Sequence, residues 1–330
     1  MTRDIIKVKN LKISFFTHLG EVQAVRGINF HIKNGEVLGI VGESGSGKSV
    51  TALSILKLLQ YPGVIKNGEI VFGGEDLVKK SENEMNKKIR GNKISMIFQD
   101  PMTSLNPVFK IGDQITEAIL IHNKISRKNA RKKALEMLEL VSIASPEIRV
   151  NNYPHELSGG MRQRVMIAMA LSCQPDLLIA DEPTTALDVT IQAQIILLLK
   201  ELQRKTNVSI LLITHDLGVV ADICDRIIVM YSGLLMEEGS TRDIFYNPLH
   251  PYTKGLLKAV PTPEISKENR LLTIPGKPPE LLNPPTGCPF AKRCPYVMNI
   301  CTRQLPPKFR ESEHHYTMCW LLHPSCPIKD

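Results

Sequence analysis

The chain has 330 residues, 43% of them apolar and 22% charged, enough to bury a core in one large domain with an appendage. Those values exclude disorder along the whole length, and seven cysteines are too sparse for a small disulfide scaffold. Forty-one Lys and Arg against 33 Asp and Glu leave a net charge of +8, which suits polyanionic nucleotides, nucleic acid or an anionic membrane surface.

No apolar run approaches the roughly 18 residues of a membrane span. The segment after Met1-Thr2-Arg3-Asp4 lacks the apolar core of a signal peptide, so the chain is expected to stay in the cytosol. The near-alternation of Ile6, Val8, Leu11, Ile13 and Phe15 predicts a strand over Ile5–Phe16, and Val25–Ile32 a second. Val37–Val41 is continuously apolar, the pattern of a strand buried on both faces. Val50–Gln60 reads as a helix with Leu53, Leu56 and Leu59 on one side. Gly68–Phe72 and Ile94–Phe98 are strand-like, and Ile111 to Ala144 is helical and amphipathic. Within it Lys124, Arg127, Lys128, Arg131, Lys132 and Lys133 read first as a solvated face, with RNA or membrane contact as the alternative. Met161–Leu171 and Ile191–Lys205 are predicted helices; Leu177–Ala180 and Ser209–Thr214 are predicted strands. Ile227–Tyr231 and Leu234–Glu238 read as strands joined through Ser232-Gly233. Strands alternating with helices predict an α/β core with parallel strands, carrying a helical insertion between about Asp100 and Cys173. Prolines at 248, 251, 261, 263, 275, 278, 279, 284 and 285 argue against an ordinary helix or central strand there. The stretch reads as an extended connector with short elements, leading to a separate tail that holds five of the cysteines.

Gly42-Glu43-Ser44-Gly45-Ser46-Gly47-Lys48-Ser49 has the G-x4-G-K-S/T spacing of a phosphate-binding loop. Its glycines let consecutive backbone N–H groups turn toward one anion, and the following helix adds its positive end. Lys48 supplies a mobile charge for β- and γ-phosphates, and Ser49 a hydroxyl for Mg²⁺. Leu177-Leu178-Ile179-Ala180 then delivers Asp181 toward the metal, through a water, with Glu182 beside it to polarise an attacking water. Thr214-His215-Asp216 follows a buried strand, where ligand sites of α/β folds lie, which favours a γ-phosphate role for His215.

Leu157-Ser158-Gly159-Gly160-Met161-Arg162-Gln163, with the two elements above in the same order, resembles the ATP-binding-cassette ATPases over about residues 5–245. The resemblance implies a P-loop α/β core: a mixed sheet with a RecA-like lobe, an antiparallel β subdomain and a helical subdomain, followed by a small irregular Cys-containing C-terminal domain. The implied division is 1–246 for the nucleotide-binding domain, its helical subdomain at about 100–173, and 247–330 for the extension. ATP and Mg²⁺ are the implied ligands, bound by Ser44, Gly45, Ser46, Gly47, Lys48, Ser49 and Val50, with Phe15 stacking on adenine and Phe16 as the alternative. Gln99 resembles the glutamine that senses the γ-phosphate and ligates Mg²⁺, and His215 the switch histidine. Ser158, Gly159 and Gly160 open a second anion-binding helix start, which in the family closes over ATP held by another subunit. Ala186-Leu187-Asp188 resembles the loop that crosses that seam.

Phe98-Gln99-Asp100-Pro101-Met102-Thr103-Ser104-Leu105-Asn106-Pro107 and Asn247-Pro248-Leu249-His250-Pro251-Tyr252-Thr253 resemble the oligopeptide/dipeptide importer branch. Met161–Ala170 looks D-type. The branch implies a heterodimer with an F-type ATPase beneath two membrane permease subunits, on the cytoplasmic face. It implies an extracellular peptide-binding protein acting indirectly, and no nucleic-acid partner. The alternatives are a soluble cassette ATPase acting on nucleic acid or ribosomes, and an importer of another solute such as nickel.

Cys288, Cys294, Cys301 and Cys319 are four soft thiols in a loop-rich segment, the pattern of a metal centre in a reducing compartment. Zinc sites favour C-x2–4-C pairs, absent here, so the wider gaps and the branch resemblance point to [4Fe–4S], with unligated cysteines and zinc as the alternatives. Cys326 is the alternative to Cys319; Cys173 and Cys224 read as core residues.

Overall fold

The computed structural model describes residues 3–99, 104–185, 187–259 and 274–328. Met1, Thr2, Asp100, Pro101, Met102, Thr103, Ala186, Pro261 and Pro263, named above, lie outside the described residues. In chain order the main elements are β1 (Asp4–Thr17), β2 (Gly20–Lys33), β3 (Val37–Val41), α1 (Lys48–Ile55), β4 (Gly63–Phe72), β5 (Glu75–Asp76) and β6 (Ile94–Ile97). There follow α2 (Ile111–His122), α3 (Arg127–Leu140), α4 (Gly159–Leu171), β7 (Leu177–Asp181), α5 (Val189–Thr206), β8 (Ser209–Thr214), α6 (Leu217–Ile223), β9 (Arg226–Tyr231) and β10 (Leu234–Ser240). The tail adds α7 (Thr241–Tyr246), α8 (Pro251–Lys258), α9 (Asn299–Arg303), β11 (Phe309–Arg310) and β12 (Tyr316–Thr317).

The chain divides into two compact units. The first gathers Met1–Ile5, Ile32–Val37 and Lys79–Ile213. In it β6, β7 and β8 pair in parallel, Ile94 opposite Leu177 and Leu177 opposite Ser209. Every residue of β7 and β8 is buried, which is why Leu177–Ala180 and Ile210–Ile213 within them are unbroken apolar runs. The amphipathic stretch from Ile111 resolves into two helices. Ile111, Ile115 and Ile119 of α2 and Ala130, Ala134 and Leu138 of α3 turn inward at helical spacing. Ser126 separates them, its Oγ accepting from Asn129 N–H at 3.3 Å as the cap of α3. Arg127, Lys128, Lys132 and Lys133 lie on the solvent face, and Arg131 reaches Asp113.

The second unit gathers Ile6–His31, Leu38–Val78 and Thr214–Asp330. One sheet has the order β2-β1-β4-β5. Its β4 starts at Gly63, five residues before the predicted Gly68, because the ladder with β1 runs from Ile6–Phe72 to Phe15–Gly63 whatever the side chains. The other run has the order β11-β12-β10-β9-β3, with β3 parallel to β9 and the rest antiparallel. The β9–β10 hairpin turns through Ser232 and Gly233, both at positive φ, as a two-residue loop requires. The proline-rich stretch is corrected at its start: it opens with the helix α8. Pro251 sits at the first helical position, where its missing N–H costs nothing, and His250 Nδ1 accepts from Tyr252 N–H at 3.0 Å. Tail residues 274–328 belong to this unit, and β12 pairs with β10 at Glu237–Thr317.

Two helices stop earlier than predicted for one reason. After α1, Lys57 turns left-handed (φ 53°), with Lys57 N–H donating to Ser54 O at 3.0 Å and Leu58 N–H to Leu53 O at 2.9 Å. After α3, Ser142 does the same (φ 57°), with Ser142 N–H on Glu139 O and Ile143 N–H on Leu138 O. Both are Schellman closures lacking the usual glycine. Ser142 is exposed, so Ser142→Gly should remove the left-handed penalty and raise stability by about 0.5–1 kcal/mol. The urea midpoint, at unchanged m-value, measures it.

Candidate functional site

In the second unit the buried strand β3 feeds the glycine loop directly. Gly42, Gly45 and Gly47 all have positive φ. A β-carbon on Gly42 would collide with the Met230 carbonyl oxygen, and one on Gly47 would lie 2.5 Å from Ala24 O. The loop is therefore pressed onto backbone and tolerates no side chain at these two points. Ser44 and Gly45 stay exposed at its crest, while Ser46 and Lys48 are buried. Lys48 Nζ donates to Gly42 O at 2.7 Å and Glu43 O at 2.9 Å, so the ammonium is folded back onto the loop. Ser49 and Val50 follow Lys48 in the first turn of α1, half-buried, with no acidic residue in that turn to oppose an anion. Curled N–H groups, a helix start and an ammonium form a cradle for a polyphosphate.

Two tail side chains hold this loop, and the sequence reading missed both. Tyr252 Oη accepts from Glu43 N–H at 2.9 Å. Arg293 grips the Glu43 carboxylate with both terminal nitrogens, at 2.6 and 2.9 Å. Nothing local in the sequence connects positions 43 and 293. Phe15 is half-buried beside Gly63, and Phe16 is exposed with Lys66 Nζ 5.8 Å from its ring centre. His215 is exposed, and Asp216 next to it caps α6, accepting from Gly218 N–H at 2.8 Å.

In the first unit β7 ends on Asp181, which is 5% exposed. Glu182 turns left-handed (φ 46°) and is tied by its N–H to Ile213 O at 2.8 Å. Gln99 Nε2 donates to Glu182 Oε2 at 2.8 Å, and Thr185 Oγ1 donates to the same oxygen at 2.9 Å. Gln99 and Glu182, 83 positions apart in sequence, are thus brought together, with Thr185 an unforeseen third member. Two donors on one oxygen orient the carboxylate. Ser158 caps α4, accepting from Met161 N–H at 3.3 Å, so the helix starts at Gly159, two residues before the predicted Met161. A β-carbon on Gly160 would lie 2.8 Å from Ile191, whose N–H donates to Asp188 at 3.0 Å. Ser158–Gly160 and Asp188 are therefore neighbours through the first turn of α5.

Cys288, Cys294, Cys301 and Cys319 line one small cavity of the second unit, with His250, Phe290 and Trp320 also on its wall. Cys326 is not on that wall; its Sγ is 3.2 Å from Ile328 O. Burial pushes the Cys288 and Cys319 thiols up to about 12 and the His250 imidazole down to about 4, which favours the neutral form of all three. Because Nδ1 accepts from Tyr252, the His250 proton is assigned to Nε2, which is buried with no hydrogen-bond partner among the described residues. Among the described residues no three His, Cys, Asp or Glu side chains are grouped to hold a metal ion. Cys224 is buried against Gly39, and the Cys173 thiol donates to Ala118 O at 3.5 Å.

Two family models match: ABC transporter over residues 25–185, and the oligopeptide/dipeptide transporter C-terminal region over 236–301. The oligopeptide transport ATP-binding protein OppD of Bacillus subtilis is 60% identical over 324 residues, 98% of this chain and 90% of that protein. The dipeptide transport ATP-binding protein DppD of the same organism is 57% identical over 96% of this chain and 94% of its own length. The chain belongs to the oligopeptide/dipeptide branch of ABC transporter ATP-binding subunits. Solved relatives of this ABC subunit include the dimeric cassette MJ0796 in a post-hydrolysis state with ADP and Pi, at TM-score 0.64 and 30% identity over 72% of this chain and 99% of that one. Among the described residues no helix is long and apolar enough to cross a membrane.

Replacing Gly47 by Ala in this ABC subunit forces a β-carbon against Ala24 O at a φ of 101°. The expected outcome is a retained circular dichroism spectrum with MgATP affinity lowered about tenfold or more, read by calorimetric titration.

Proposed function

We propose that this chain is the ATP-binding and ATP-hydrolysing subunit that powers import of di- or oligopeptides through an ABC transporter. The observation that carries the reading is 60% identity along nearly the whole chain with an oligopeptide transport ATP-binding protein. The proposed division keeps 1–246 as the nucleotide-binding domain, with a helical subdomain at about 100–173, and 247–330 as the extension. Ser44 to Val50 bind the phosphates and Phe15 stacks on adenine. Ser49, Gln99 and Asp181 serve Mg²⁺, Glu182 polarises the attacking water, and Lys48 and His215 contact the γ-phosphate. Ser158, Gly159, Gly160 and Asp188 face the nucleotide of a partner ATPase, of F-type. Dimeric cassettes among the solved relatives support a pairing of two ATPases across the nucleotide. Two permease subunits provide the passage, an extracellular peptide-binding protein delivers cargo, and the chain sits peripherally on the cytoplasmic membrane face.

A [4Fe–4S] cluster is proposed for Cys288, Cys294, Cys301 and Cys319. What supports this reading is that all four cysteines line one cavity, with His250 Nε2, which has no hydrogen-bond partner among the described residues, on the same wall. A cubane takes one thiolate on each of four irons, so it does not need three ligands converging on a single ion. When bound, it would staple a tail too small to hold a core of its own.

With Glu182→Gln, ATP turnover should fall by about two to four orders of magnitude while MgATP stays bound and the dimer persists in size-exclusion chromatography. Undiminished turnover removes Glu182 from the role of base. Anaerobically purified protein should contain about four irons and four labile sulfides per chain. Cys294→Ser should lower both; equal iron content in that variant counts against the ligand set.

A further inference from the structure

We propose that Arg293 is a positioning residue for nucleotide binding, acting through Glu43 of the phosphate loop. Its side chain is only 5% exposed, and its guanidinium makes five directed contacts. Both terminal nitrogens reach the Glu43 carboxylate, one also donates to Tyr231 Oη at 3.1 Å, and the group is closed by Ile274 O at 3.1 Å and Pro275 O at 2.9 Å. This bidentate fork on a planar carboxylate fixes direction as well as distance.

What is fixed is a part of the loop on which other parts rest. The Glu43 carbonyl accepts from Lys48 Nζ at 2.9 Å and from Ser46 N–H at 3.2 Å, and its own N–H is spent on Tyr252 Oη. A shift of Glu43 therefore moves the lysine's resting contact and the curl of the N–H groups together. Arg293 closes a short turn, Ala291–Arg293, between Cys288 and Cys294, with Arg293 N–H on Phe290 O at 2.9 Å. The cysteine tail thus sets the shape of the phosphate loop from outside the nucleotide-binding motif. A pair serving stability alone would have no reason to choose this partner, since a buried ion pair is seldom more stabilising than apolar packing of the same volume.

The proposal rests on the nucleotide-binding reading above. The test is calorimetric MgATP binding to the full chain as wild type, Arg293→Gln, Arg293→Lys, Glu43→Gln and the Arg293→Gln/Glu43→Gln double variant, with melting temperatures taken without nucleotide. Arg293→Gln and Glu43→Gln should each weaken MgATP about tenfold, the double variant no more than either, and Arg293→Lys less than Arg293→Gln. Lower melting temperatures with unchanged Kd would show a purely structural pair and overturn the proposal, as would losses that multiply in the double variant. If Arg293→Gln does not fold, Glu43→Gln decides: wild-type affinity there overturns the proposal. A wild-type chain that takes up no MgATP overturns the nucleotide reading itself, and the proposal with it.

Discussion

The tight seat of the glycine loop is the constraint on which the chemistry depends. Gly42 lies against the Met230 carbonyl and Gly47 against that of Ala24, so the chain curls where any other residue would be pushed away. From that curl follow the folded-back Lys48 and the helix start at its end. The carbonyls it packs against belong to β2 and β9, two strands of the same unit, and both Ala24 and Met230 are buried. Sheet packing thus holds the two glycine ends of the loop, while its own bonds and the tail hold Glu43 between them.

The tail extends the same logic. Tyr231, Tyr252 and Phe290 form one aromatic cluster, with ring centres 4.5 to 5.5 Å apart. Two members of that cluster come from elements after β10, so apolar packing brings the Tyr252 hydroxyl and the Arg293 fork to Glu43. Nearby, buried Glu237 accepts from Leu249 N–H, His250 N–H and His315 Nε2, which ties the connector and the far tail to β10. A peripheral extension with few strands is held by directed polar bonds around a small apolar centre, and it ends up touching the nucleotide loop.

Much of this was legible in the residues, for physical reasons. Val37–Val41, Leu177–Ala180 and Ile210–Ile213 are continuous runs without a polar side chain because parallel strands are covered on both faces. Gly42 to Ser49 carried its chemistry in spacing alone, since local backbone shape needs glycines at fixed steps. The stops after α1 and α3 were not legible, because Lys57 and Ser142 adopt a conformation normally announced by glycine. The helix α8 was hidden by Pro251, which breaks a helix interior yet suits its first position. The grip of Arg293 on Glu43 and of Thr185 on Glu182 left no trace, because side-chain partners chosen by tertiary packing have no period to detect.

The most direct measurement is ATP turnover by this chain assembled with the proposed partner ATPase and permeases in lipid nanodiscs, while the proposed binding protein loaded with different solutes is added. Turnover should rise with di- or oligopeptide-loaded binding protein and remain basal with nickel-loaded or empty protein. Turnover indifferent to peptide, or raised by another solute instead, would contradict the coupling of nucleotide hydrolysis to peptide import.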